Sequence, residues 1–128
     1  MTRHFDCDVL IIGSGFGGSV SALRLAEQGL RVIVLEQGRR LTPADFEAAG
    51  RDPNALLWAP LLGRRGFLAQ EVYRHMGIVR GIGVGGGSLV YAAVSLQPGK
   101  AFYEDPAWAD MSQDWETELA PHFRTARQ

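Results

Sequence analysis

The chain has 128 residues, 46% hydrophobic and 21% charged, with a formal net charge of −1. This is the composition of a soluble globular protein, and its near-neutral charge leaves no electrostatic case for nucleic acid or an anionic membrane surface. The lone Cys7 excludes an internal disulfide and a cysteine-based zinc site; no metal site is expected. No signal peptide and no apolar run long enough to span a membrane is read in the chain, so a cytoplasmic location is expected.

Residues 7–12, Cys7-Asp8-Val9-Leu10-Ile11-Ile12, read as a first buried strand, with Cys7 as a small hydrophobe within it. The turn that follows, Gly13-Ser14-Gly15-Phe16-Gly17-Gly18, is G-x-G-x-x-G. It opens into a helix over 19–28, and a second parallel strand is expected over 31–35, ending in Glu36. Glycines cluster in many loops, so the motif alone is weak. Strand, glycine turn, helix, strand and acidic residue in that order supply the context of a dinucleotide fingerprint. Gly13 lets the chain turn off the strand, Gly15 lets backbone approach a pyrophosphate, and Gly18 lets the helix lie close to the strand. The helix start offers unpaired N–H groups to phosphates. Glu36 lies eighteen positions after Gly18, near the spacing of about 20 at which a carboxylate takes a ribose hydroxyl pair. It would repel a 2′-phosphate. Arg39 and Arg40 fall past the strand end and read as solvated loop residues or weak phosphate neighbours. The bland alternative is a Rossmann-like unit that binds no nucleotide.

Thr42-Pro43 predicts a helix with Thr42 as N-cap, running to Ala49 and stopped by Gly50. Residues 52–62 read as irregular and apolar, either a lid or cavity wall or, as the preferred reading, a loop tucked into the core. Short strands are expected over 67–74 and 78–82, joined through His75-Met76-Gly77. A second glycine cluster follows, Gly81-Ile82-Gly83-Val84-Gly85-Gly86-Gly87-Ser88. Its bare backbone suits a phosphate or a flat ring, and Ser88 is placed to cap a following helix. A nicotinamide dinucleotide needs no second glycine loop, whereas the longer FAD does. From Asp114 onward the pattern is helical. Only two or three convincing parallel strands are present, so the reading is an α/β, Rossmann-like FAD/NAD(P)-binding domain that is incomplete: 1–128 as an N-terminal FAD-binding portion.

Three stretches together resemble the glucose–methanol–choline oxidoreductases, in their cholesterol oxidase-like branch: residues 8–19, Leu35-Glu36-Gln37-Gly38-Arg39-Arg40, and Gly83-Val84-Gly85-Gly86-Gly87-Ser88-Leu89-Val90-Tyr91. Pro106-Ala107-Trp108 and Asp114-Trp115 add to the likeness. The resemblance implies a noncovalent FAD that takes a hydride from an alcohol carbon, that of a sterol being one such substrate, and passes electrons to oxygen or another acceptor. It implies cofactor contacts at Gly13, Gly15, Phe16, Gly17, Gly18, Glu36, Gln37, Gly85, Gly86, Gly87 and Ser88. It carries none to Tyr91 or Ala93, where the motif departs from the branch. The family's catalytic histidine with its asparagine or second histidine lies in a later region, so no catalytic residue is assigned here. His4, His75 and His122 read as surface or structural. Membrane contact is expected only for substrate access. The competing readings are another FAD family, such as ketosteroid dehydrogenases or carotenoid desaturases, and a catalytically silent dinucleotide-binding module.

Overall fold

The computed structural model describes residues 5–92, 94–108 and 114–127. It divides into two compact units, Met1–Ala92 and Ala93–Gln128. His4 and Ala93 lie outside the described residues.

The first unit begins as the hydrophobic pattern demands. Strand β1 (Val9–Ile12) pairs in parallel with β2 (Val32–Leu35), Val9 opposite Val32 and Ile12 opposite Leu35. Helix α1 (Phe16–Glu27) makes the crossover between them. It starts at Phe16, three residues before the expected start, because Gly15 is itself the N-cap and Gly17 and Gly18 lie in the first turn. A parallel pair is joined in this way because a short hairpin cannot link strands that run in the same direction. The Asp8 carboxylate accepts from the Arg31 guanidinium at 2.8 Å and from the Arg31 backbone N–H, tying the two strand starts together. Cys7 precedes β1 and is only half-buried.

Helix α2 (Pro43–Ala49) follows, with Thr42 and Asp45 closing a reciprocal capping box and Pro43 at its first position. The stretch read as irregular then turns out to be partly regular. Asp52 accepts from the Asn54 N–H and caps a one-turn helix α3 (Pro53–Leu56). Strand β3 (Trp58–Ala59) pairs antiparallel with β4 (Arg64–Arg65) around a 3-10 turn at Pro60–Leu62. Local capping at Asp52 competed successfully with the proline-rich loop reading. The expected pair of strands is present as the hairpin β5 (Leu68–Val72) and β6 (Gly77–Gly81), antiparallel, with Tyr73 N–H donating to the Met76 carbonyl across the turn.

The buried apolar side chains among the described residues are Ala49, Phe67, Ala69 and Ile82. They gather where α2 meets the base of the β5–β6 hairpin, with Phe46 tilted against Phe67 at 5.0 Å between ring centroids. The parallel pair lies outside that core. Ile12 is 86% exposed and Leu10 and Leu35 are about half exposed. A cleft of about 910 Å³ runs over this sheet, lined by Leu10, Ile33 and Leu35 with Asp8 and Arg31 at its end. Parallel sheets are stable when both faces are covered; here the strand pair shows bare apolar surface.

The second unit holds α4 (Lys100–Tyr103), a 3-10 turn at Pro106–Trp108 and α5 (Trp115–Ala126). Trp108 stacks obliquely on Phe102 and Trp115 and donates its indole N–H to the Phe102 carbonyl at 2.8 Å. Asp114 caps α5 by accepting from the Thr117 N–H, and the helix continues through Pro121. No helix among the described residues is long and apolar enough to cross a membrane, and no group of metal-ligating side chains is found among them.

Candidate functional site

The first glycine turn is built for backbone exposure. Gly13 holds a φ of +93°, which ordinary side chains rarely adopt, and its N–H donates to the Leu35 carbonyl at 2.7 Å. That bond hangs the turn from the end of β2. A Cβ on Gly18 would sit 2.0 Å from the Gly13 oxygen, so α1 reaches its place against the turn only because this residue lacks a side chain. Around Gly15 there is open space: a Cβ there would meet nothing within 4 Å. No side chain caps α1. Its leading N–H groups and positive dipole end are therefore left without a side-chain partner, the arrangement that attracts phosphate.

Glu36 closes one side. Its Oε2 accepts from the Ser14 N–H at 2.9 Å and from the Ser14 hydroxyl at 2.7 Å, and its Oε1 accepts from the Gly38 N–H at 3.1 Å. Partial burial alone would raise the carboxyl pKa. The hydrogen bonds from Ser14, Gly38 and Gln37 outweigh burial and hold it below the ordinary glutamate value, so Glu36 is an anion at neutral pH. Gln37 contributes through its backbone, and its side chain is exposed.

The second glycine cluster comes to the same place. Gly85 N–H donates to the Ser14 hydroxyl at 3.0 Å, across 71 positions of sequence. A Cβ on Gly86 would lie 3.0 Å from the Gly15 Cα, and one on Gly87 would lie 3.5 Å from the Phe16 ring. Phe16 meets Tyr91 edge to face at 5.9 Å. Gly13, Gly15, Phe16, Gly17, Gly18, Glu36, Gln37, Gly85, Gly86, Gly87 and Ser88 thus belong to one locus.

Ser88 does not cap a helix. It lies inside a 3-10 turn at Gly86–Leu89, and its hydroxyl donates to the Gly85 carbonyl at 3.0 Å. The left-handed backbone at Gly85 and Gly86 bends the chain there, and no α-helix follows directly. The residue sequence reasoning missed is Ser14, an unspecified position of the fingerprint and the one buried polar residue among those described.

The cations near Glu36 are accounted for. Arg39 binds Asp45 at 2.8 Å, and its carbonyl accepts from the Val84 N–H. Arg40 is exposed beyond the strand end. Neither replaces Glu36 with a positive site for a 2′-phosphate. His75 and His122 are both exposed.

A family model described as an FAD binding domain matches residues 8–50, the stretch from β1 through α2. The chain is 49% identical over 122 residues to a cholesterol oxidase of Mycobacterium tuberculosis, covering 95% of this chain and 21% of that protein. It is 41% identical to a cholesterol oxidase of Acinetobacter baumannii, covering 97% and 22%. A long-chain-alcohol oxidase of Arabidopsis thaliana is 35% identical over 107 residues, covering 81% and 13%. The chain spans about a fifth of the length of these cholesterol oxidases.

Proposed function

We propose, for a chain that belongs to the glucose–methanol–choline family of FAD-dependent oxidoreductases, that its two glycine loops form the adenosine and pyrophosphate half of the FAD site. The observation that carries this is the meeting of Ser14 and Gly15 with Gly85 and Gly86 beside an ionised Glu36. The residues fit the cofactor on two counts. The space beside Gly15 is open, and the donors at the start of α1 lack a side-chain cap. Gly13, Gly15, Gly17 and Gly18 would lie along the pyrophosphate with Phe16 at its edge. Glu36, supported by Gln37, would accept from the adenosine ribose hydroxyls. Gly85, Gly86, Gly87 and Ser88 would run from the pyrophosphate toward the flavin.

When bound, FAD supplies the redox chemistry, taking a hydride from an alcohol carbon that becomes a carbonyl. These residues contribute binding and orientation. The start of α1 offsets phosphate charge, Glu36 selects against a 2′-phosphate, and Phe16 with Tyr91 forms an apolar wall beside the loops. The hydroxyl proton needs a base supplied by residues outside this segment, which in this reading is the N-terminal FAD-binding part, over 1–128, of an incomplete Rossmann-like fold. The relatives named for cholesterol and long-chain alcohols make a lipid-like alcohol, a sterol among them, the substrate class we favour for the whole protein.

A visible absorption spectrum tests the reading. Flavin bands that persist through desalting, with FAD released on denaturation, are expected. A colourless protein that takes up NAD instead overturns it.

A further inference from the structure

We propose that Ser14 is a positioning residue for the adenosine ribose of the cofactor, acting through Glu36 and the second glycine loop; this rests on the assignment of Glu36 to the ribose given above. The residue occupies a variable place in G-x-G-x-x-G, yet it is only 7% exposed and every polar atom it owns is engaged. Its N–H and its hydroxyl both donate to one carboxylate oxygen, Glu36 Oε2. The same hydroxyl oxygen accepts from the Gly85 N–H at 3.0 Å. Its carbonyl accepts from the Ser19 hydroxyl at 2.6 Å, one turn into α1.

A glutamate side chain turns about three bonds, and a single donor leaves its carboxylate free to swing. Two donors from one residue on the same oxygen, with Gly38 N–H on the other, remove that freedom. Hydrogen bonds to a charged partner are also the stronger kind. Ser14 therefore sets where the carboxylate stands before a ribose arrives, which is the physical content of a preorganised site. Because its hydroxyl oxygen also holds Gly85, the carboxylate and the second loop share one reference point. Alanine at position 14 would remove one of the two donors on Oε2 and leave the Gly85 N–H without its acceptor.

A loss of general stability would weaken every ligand alike, so the test must isolate the ribose. The whole protein, stripped of flavin, is titrated with FAD and with an FAD analogue lacking the adenosine 2′-hydroxyl, following flavin fluorescence. The unmodified protein is expected to prefer FAD about tenfold or more, the scale of one hydrogen bond to a charged group. Ser14→Ala is expected to bind FAD about tenfold more weakly and to narrow that preference to about threefold or less. Ser14→Cys, which keeps the side-chain shape with a poor donor, should narrow it likewise and serves where the alanine variant does not fold. A folded variant that keeps the full preference overturns the role of Ser14 and leaves Glu36 standing. An unmodified protein with no preference between the two nucleotides overturns the ribose assignment of Glu36, and this proposal with it.

Discussion

Gly86 lies against Gly15, so close that a Cβ on the later residue would stand 3.0 Å from the Cα of the earlier one. Residues 71 positions apart are thus in close backbone approach at a point of the first turn that is otherwise open. Gly86 also has a left-handed backbone, with φ of +54°. Gly86→Ala adds about 1 kcal/mol of backbone strain and pushes the loops apart. We expect FAD affinity to fall by tenfold or more and the melting temperature to drop by several degrees, in isothermal titration and a thermal melt of the same preparation.

Gly15 and Gly18 make opposite predictions although both belong to the fingerprint. At Gly15 an added Cβ meets nothing, so Gly15→Ala should leave the melting temperature of the cofactor-free protein nearly unchanged while severely weakening FAD binding. At Gly18 the added Cβ would overlap the Gly13 oxygen and crowd Ile11. Gly18→Ala should therefore destabilise the fold by about 3 kcal/mol. Equal losses of stability in the two variants would contradict this division of labour.

Glu36→Gln keeps the shape and removes the charge, and Glu36→Arg reverses it. Weaker FAD binding is expected in both, most in Glu36→Arg. Arg39 stays bound to Asp45, so Glu36→Gln alone should not create affinity for NADP. Unchanged dissociation constants for FAD would refute the assignment of this side chain.

Acid should loosen this unit through its carboxylates. Burial opposes the charge on Glu36, but bonds from Ser14, Gly38 and Gln37 win and lower its pKa. Asp45 is lowered by Arg39 and then by Thr42, and Asp8 by Arg31. Folded values below the unfolded ones mean that the unfolded chain takes up protons first. The stabilisation is complete above about pH 5 and is lost as pH falls through the depressed values. Asp8 belongs to an exposed pair and counts for little, so the half-buried Glu36 and Asp45 should carry most of the effect. Thermal melts between pH 7 and pH 3 should show a steeper acid limb in the unmodified protein than in Glu36→Gln.

Thr42→Ala serves as a contrast. It removes the capping box of α2 and should cost about 1 kcal/mol. With no role in the glycine loops, it should leave FAD affinity per folded molecule intact.

Much of this was readable from local rules. The apolar runs of β1 and β2, the glycine turn between them and the Thr42-Pro43 start of α2 each depend on residues near in sequence, and each is found in the structure. Glu36 was legible because it ends a strand at a set distance from the turn. Ser14 was not, because its importance comes from the Gly85 N–H far along the chain. Ser88 was misread for a related reason: a serine after glycines looks like a cap until the left-handed backbone at Gly85 and Gly86 is known. The one-turn helix after Asp52 was hidden by two prolines that suggest a loop, although Pro53 sits at the first helical position, which tolerates it.

The bare parallel pair bears on how this polypeptide associates in solution. Among the described residues β1 and β2 pair only with each other, so each offers a free ladder of N–H and C=O groups flanked by apolar side chains such as Ile12 and Leu35. Such edges recruit further strands from any available chain. Expressed by itself, the polypeptide should self-associate as its concentration rises, and the species formed should gain β content without gaining affinity for FAD.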